Sequence, residues 1–148
     1  MPPFGSPLTL ENIDRIDLAL NFFSSLLEAG LQEEAIACFE HAMRVSPIDP
    51  LMYSLFTGVG VALLELHRFD EAIVTTKKGL RQNTSFAAAY RCLASAYAHL
   101  GQSAEAREAA AHVLETDPGF TISGWIARGG KTHVPLLIEG LRKAGLPE

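Results

Sequence analysis

Gly30-Leu31-Gln32-Glu33-Glu34-Ala35-Ile36, His67-Arg68-Phe69-Asp70-Glu71-Ala72-Ile73 and Gly101-Gln102-Ser103-Ala104-Glu105-Ala106 repeat one arrangement along the chain. Each opens on a corner residue, runs through a short polar stretch and reaches an alanine. Ala72 and Ala106 are 34 residues apart, and Ala35 and Ala72 are 37 apart. The surplus fits an extra turn, Ser46-Pro47-Ile48-Asp49-Pro50. A period of this size marks stacked supersecondary units, none of which can bury its apolar face alone.

Working outward, each quoted segment reads as the start of the second helix of a pair. Upstream of each lies a stretch with apolar residues at helical spacing: Ile16, Leu20, Phe23 and Leu27; Phe56, Val59, Gly60 and Leu63; Tyr90, Leu93, Ala94 and Tyr97. Gly30 and Gly101 sit at the corners, where a residue of positive φ closes a helix at little cost. Pro47 and Pro118 stop the second helices. Small residues at matching places (Ala35, Ala72, Ala106; Gly60, Ala94) let paired helices approach closely, the mechanical logic of an α-solenoid. The predicted fold is all-α: an N-terminal extension (1–12), three helix-turn-helix repeats (about 13–48, 51–84 and 86–118) and a C-terminal capping segment (119–148). In that last segment a turn at Gly119-Phe120 leads to Trp125, a Gly129-Gly130 break and a final amphipathic helix. Its stripe is Val134, Leu137, Ile138 and Leu141, and Arg142-Lys143 suit its C-terminal dipole before Gly145.

Composition agrees and excludes several functions. At 148 residues and 48% hydrophobic content, the chain suits one domain with a real core. Twelve Lys and Arg against seventeen Asp and Glu give a net charge of −5, with signs interspersed, so the chain lacks the basic stripe that nucleic-acid binding needs. The N-terminal Met1-Pro2-Pro3-Phe4-Gly5-Ser6-Pro7 has no basic region leading into an apolar one and is not read as a signal peptide. Leu51 to Leu66 is the most apolar stretch, but it is short and interrupted by Ser54, Thr57 and Glu65. It reads as a buried helix, without membrane insertion. Cys38 and Cys92 form no metal-ligand pattern and are too few for a disulfide scaffold, which fits a reduced, cytoplasmic protein.

The repeats resemble the tetratricopeptide repeat family over residues 13–118, in period and in the placing of small, large and proline positions. The usual first-helix Trp is replaced by Ala19, Phe56 and Tyr90; His67 stands where Gly is common, and Thr84 where Pro is. A wider resemblance rests on Ser46-Pro47-Ile48-Asp49-Pro50, Gly79-Leu80-Arg81-Gln82-Asn83, Asp117-Pro118-Gly119-Phe120 and the ending Gly140 to Glu148. These look like the C-terminal repeat region of bacterial class III adenylate/guanylate cyclases. That resemblance implies a regulatory tail whose catalytic domain lies outside this sequence.

The chemistry readable in the chain is sparse. Gly124-Trp125-Ile126-Ala127-Arg128-Gly129-Gly130-Lys131-Thr132 ends like a phosphate-binding loop, but it has one residue too many between its glycines and no preceding strand. The histidines (His41, His67, His99, His112, His133) are never paired at i, i+4 with a nearby Glu, so no metal site is expected. Ser24-Ser25 and Thr75-Thr76 lack a His/Asp partner pattern. Neither catalysis nor a cofactor is expected of this chain. What remains is binding of a protein or peptide segment. The family resemblance implies that first helices line a concave groove, and its register points to Leu20, Ser24 and Leu27; Thr57, Val61 and Leu64; and Arg91, Ser95 and His99. The same register also brings in Asp17, Glu28, Ser54, Glu65, Ala88 and Ala98. The family's carboxylate-gripping set of Lys, Asn and Arg survives only as Arg91. The groove is therefore mostly small and apolar, suited to a helix or an extended apolar segment, with Arg91 pairing one acidic group. Its occupant is either a partner or the chain's own N- or C-terminal helix. The near-uniform apolarity of 51–66 adds a third possibility, a homodimer.

Overall fold

The computed structural model describes residues 23, 25–45, 52–128 and 134–148. Among them every regular element is an α-helix: α1 (Gln32–Val45), α2 (Met52–Glu65), α3 (Phe69–Gln82), α4 (Ala87–His99), α5 (Ser103–Thr116), α6 (Ile122–Ala127) and α7 (Pro135–Lys143). Residues 25–28 are helical as well. The expected extension at 1–12, the linker at 46–50 and the break at 129–130 lie outside the described residues.

The corners carry the repeat. Before α1, Leu31 N–H donates to Leu26 C=O (2.8 Å) and Gly30 N–H to Leu27 C=O (3.0 Å). The same pair of bonds recurs as Arg68 to Leu63 with His67 to Leu64, and as Gln102 to Tyr97 with Gly101 to Ala98. These are Schellman closures, whose pivot residue must be left-handed. Gly30 and Gly101 both have φ +76°, and His67, the departure from glycine, holds φ 63°. Its imidazole and the Phe69 ring pack edge to face, with centroids 5.8 Å apart. The departure at Thr84 is bridged differently: Tyr90 Oη donates to the Thr84 carbonyl at 2.8 Å.

Small residues set how closely the helices pack. Ala35, Ala72 and Ala106, the anchors of the sequence period, are buried. α2 pairs with α3 and α4 with α5, while α1 packs on α2 and α3 on α4. A β-carbon at Gly60 of α2 would stand 3.3 Å from both the Ala72 carbonyl of α3 and the Cys92 sulfur of α4. Thr76 Oγ1 donates to that sulfur at 3.3 Å, which ties α3 to α4 at the same point.

The apolarity of α2 is used within one chain. Met52, Leu55, Phe56, Val59, Ala62, Leu63 and Leu64 are buried together, and α1, α3, α4 and α7 all pack on this helix. No described helix is long and apolar enough to cross a membrane.

The C-terminal segment closes back on the first helices. The predicted stripe Val134, Leu137, Ile138 and Leu141 is buried, joined by Ala144 and Leu146. This terminal helix packs chiefly on α4 and also on α2, so what it covers is the first-helix face of repeats two and three. Residues 146–148 then return to α6, where Ile122 N–H donates to Pro147 C=O (2.8 Å) and Ser123 N–H to Glu148 C=O (3.0 Å).

Candidate functional site

The face shared by α2 and α4 gathers three polar side chains around one end of α7. Glu65, at the last position of α2, accepts from the backbone N–H of Leu136 (3.2 Å) and of Leu137 (2.8 Å). These are first-turn amides that no carbonyl of their own helix can satisfy, so Glu65 caps α7 from a distant part of the chain. From α4, Ser95 Oγ donates to the Leu136 carbonyl at 3.2 Å. His99 Nε2 lies 2.7 Å from the same carbonyl. A carbonyl only accepts, so Nε2 carries the proton there. The imidazole is held by a parallel stack on Phe69, 4.9 Å between centroids and 11° between planes.

Charge on this face is partly buried. Desolvation raises the Glu65 pKa above its ordinary 4.5, while the N–H groups of Leu137 and Leu136, and His99 and His67, pull it down. Burial lowers the pKa of the Arg91 guanidinium, and Asp117 opposes that shift. Arg91 lies over the Trp125 ring of α6, 5.3 Å from its centroid.

The positions expected to line the groove divide. Leu20 and Ser24 lie outside the described residues, as does Asp17. Leu27 and Val61 are half-buried and packed on the core. Leu64 is fully buried. Thr57 is buried too, its hydroxyl turned to Gly79 of α3, where a β-carbon would meet it at 3.3 Å. Arg91, Ser95 and His99 come together with Glu65, and all four are engaged by α6 or α7. Gly140 and Trp125 completed this arrangement unseen by sequence reasoning. Neither carries a local signal, because each acts through a contact more than thirty residues away.

Other candidates are placed as follows. Gly124 lies inside α6, and its N–H donates to Thr121 Oγ1 at 3.0 Å as a helix cap; residues 129–133 of the loop-like motif are outside the described set. Among the described residues no cluster of His, Cys, Asp and Glu is placed to hold a metal. Burial pushes the Cys38 thiol up to about 11 and the Cys92 thiol to about 12. On the side of the second helices, a cavity of about 430 Å³ opens between α1 and α3, floored by Phe39, Phe56 and Val59. Val74, 56% exposed, stands at its edge.

Residues 89–120, most of α4 and all of α5, match the family model for the tetratricopeptide repeat. The chain is 30% identical over 95 residues to the Hsp70-Hsp90 organizing protein of Triticum aestivum, across 64% of this chain and 16% of that protein. The chain thus spans about a sixth of the length of the curated relative it matches. Among solved structures it is similar to the first TPR of Spaghetti (RPAP3) bound to HSP90 peptide SRMEEVD, with a TM-score of 0.65, 24% identity and coverage of 76% of this chain and 89% of that one. It is also similar to a tetratricopeptide repeat protein from Parabacteroides merdae (TM-score 0.63, 22% identity, 86% and 48% covered) and to MamA (0.65, 22%, 90% and 78%). At these identities the structures establish the fold, a tetratricopeptide-type α-solenoid.

Proposed function

We propose that this chain is a protein–protein interaction module whose first-helix face, formed by α2 and α4, receives a helical segment. The observation that carries the reading is the grip of Glu65, Ser95 and His99 on the backbone of α7. Contacts to N–H and C=O groups are indifferent to side-chain identity, while the apolar sockets beside them select a pattern. Likeness to a repeat structure solved with a bound peptide supports a protein or peptide as partner. Arg91 is not free to take an acidic partner group in this state, because Trp125 covers it. The partner is therefore recognised through backbone and apolar contacts.

The parent protein is a separate proposal. The linker motifs support a class III cyclase tail, in which this module would regulate and not catalyse. Homodimerisation through α2 is the second reading, because the apolar surface of that helix is occupied within one chain.

A photo-crosslinking residue at Val61, on the α2 stripe with Glu65, tests the face directly. The same residue at Val74, on the opposite side, is the control. A partner adduct at Val61 and none at Val74 is the expected result. Adducts at both positions, or at neither, would sink the reading.

A further inference from the structure

α7 is helical because it is docked. It has nine residues, and isolated helices shorter than about 12 residues are marginal in water. Its N-cap residue, Val134, makes no side-chain cap, so the cap comes from Glu65 of α2. The repeats have closures of their own. α2 with α3, and α4 with α5, pair directly, and the corner bonds of both pairs are closed without α7. A terminal helix that depends on its dock is the kind of element that local opening releases first. Its departure would leave a carboxylate, a serine and an imidazole beside the sockets of Val134, Leu137, Ile138 and Leu141.

The seat also states what fits it. Ser95 is fully buried, and a β-carbon at Gly140 would fall 2.7 Å from the Ser95 Cα. The position facing Ser95 must therefore be glycine. Glu65 supplies the negative charge that a helix N-terminus favours, and the first turn of α7 carries no acidic residue of its own. A second carboxylate there would repel the first.

We infer, building on the interaction reading above, that α7 is the resident occupant of a helix-receiving seat. The partner is a competing amphipathic helix with a neutral first turn, apolar residues spaced as Val134, Leu137, Ile138 and Leu141, and glycine at the place of Gly140.

The test uses the full chain and a labelled peptide with the sequence of residues 134–148, followed by fluorescence anisotropy. Gly140→Leu in the chain unseats the resident helix, and the peptide keeps its glycine. The peptide is expected to bind this variant about tenfold or more tighter than wild type, and adding Glu65→Ala should weaken that binding. A Gly140→Leu chain that retains its helical circular dichroism and binds no peptide overturns the proposal. Should that variant not fold, hydrogen exchange on wild type decides: α7 amides exchanging faster than those of α4 support a separable helix, and equal protection overturns it. Peptide docking without a Val61 adduct would leave the seat standing and remove the interaction reading. A Val61 adduct without peptide docking would do the reverse.

Discussion

Gly140 of α7 lies directly against Ser95 of α4, with a β-carbon's place at Gly140 only 2.7 Å from the Ser95 Cα and closer still to its hydroxyl. In an ordinary helix interior, glycine to alanine stabilises by about 0.5–1 kcal/mol. Here the sign should reverse. The obstacle includes backbone, which cannot rotate away, so Gly140→Ala is expected to cost about 1–3 kcal/mol in urea unfolding. Ser95→Gly should recover part of that loss in the double variant. Strict additivity of the two changes would show that the contact relaxes at no cost.

Glu65 makes stability depend on pH in a direction that its capping role alone would not suggest. Desolvation is the larger influence and raises its folded pKa above 4.5, against the Leu137 and Leu136 amides and the two histidines. The folded chain therefore binds more protons than the unfolded chain between 4.5 and the folded value. The contribution of Glu65 is complete below pH 4.5 and is lost as pH rises through the folded pKa. Glu65→Gln cannot titrate, so the stability gap between wild type and this variant should narrow from pH 4 to pH 7. A gap that widens with pH would mean that the two backbone bonds outweigh burial.

The period and the terminal stripe were legible because both are local. Ala35, Ala72 and Ala106 recur at a spacing that sequence displays, and Val134, Leu137, Ile138 and Leu141 fall on one helical face whatever they meet. The destination of that face was not legible. It depends on Gly140 fitting Ser95 and on Glu65 meeting Leu136 and Leu137, pairs that lie far apart in sequence. Transferring a family register placed Thr57 in the groove, although its hydroxyl turns to Gly79. A register fixes a residue to within a fraction of a turn, and that fraction decides between groove and helix interface. His67 was a departure from glycine by identity alone; its backbone keeps the left-handed corner.

Both cysteines should be silent in the native state. Burial holds the Cys38 and Cys92 thiols at about 11 and about 12, so almost no thiolate exists at pH 8. Each is fully buried as well. Labelling by a thiol-reactive disulfide dye should proceed only through opening of the helices, and should become rapid in denaturing urea. Fast labelling of either cysteine in buffer would contradict its place in the core.

The Arg91–Trp125 pair joins the groove to the terminal segment and offers an optical readout. Trp125 is the single tryptophan, and the guanidinium lies 5.3 Å from its ring centroid. A partly desolvated stack of this kind contributes about 1–2 kcal/mol. Arg91→Ala should lower stability by about that much and shift Trp125 emission, with far-ultraviolet circular dichroism unchanged. Arg91→Lys should restore only part of either signal, because an ammonium lacks the planar face that stacks on the indole. Trp125→Ala acts from the other side: it uncovers the cation, so binding of a short acidic peptide should strengthen relative to wild type. Equal acidic-peptide binding by wild type and Trp125→Ala would show that Trp125 does not mask Arg91.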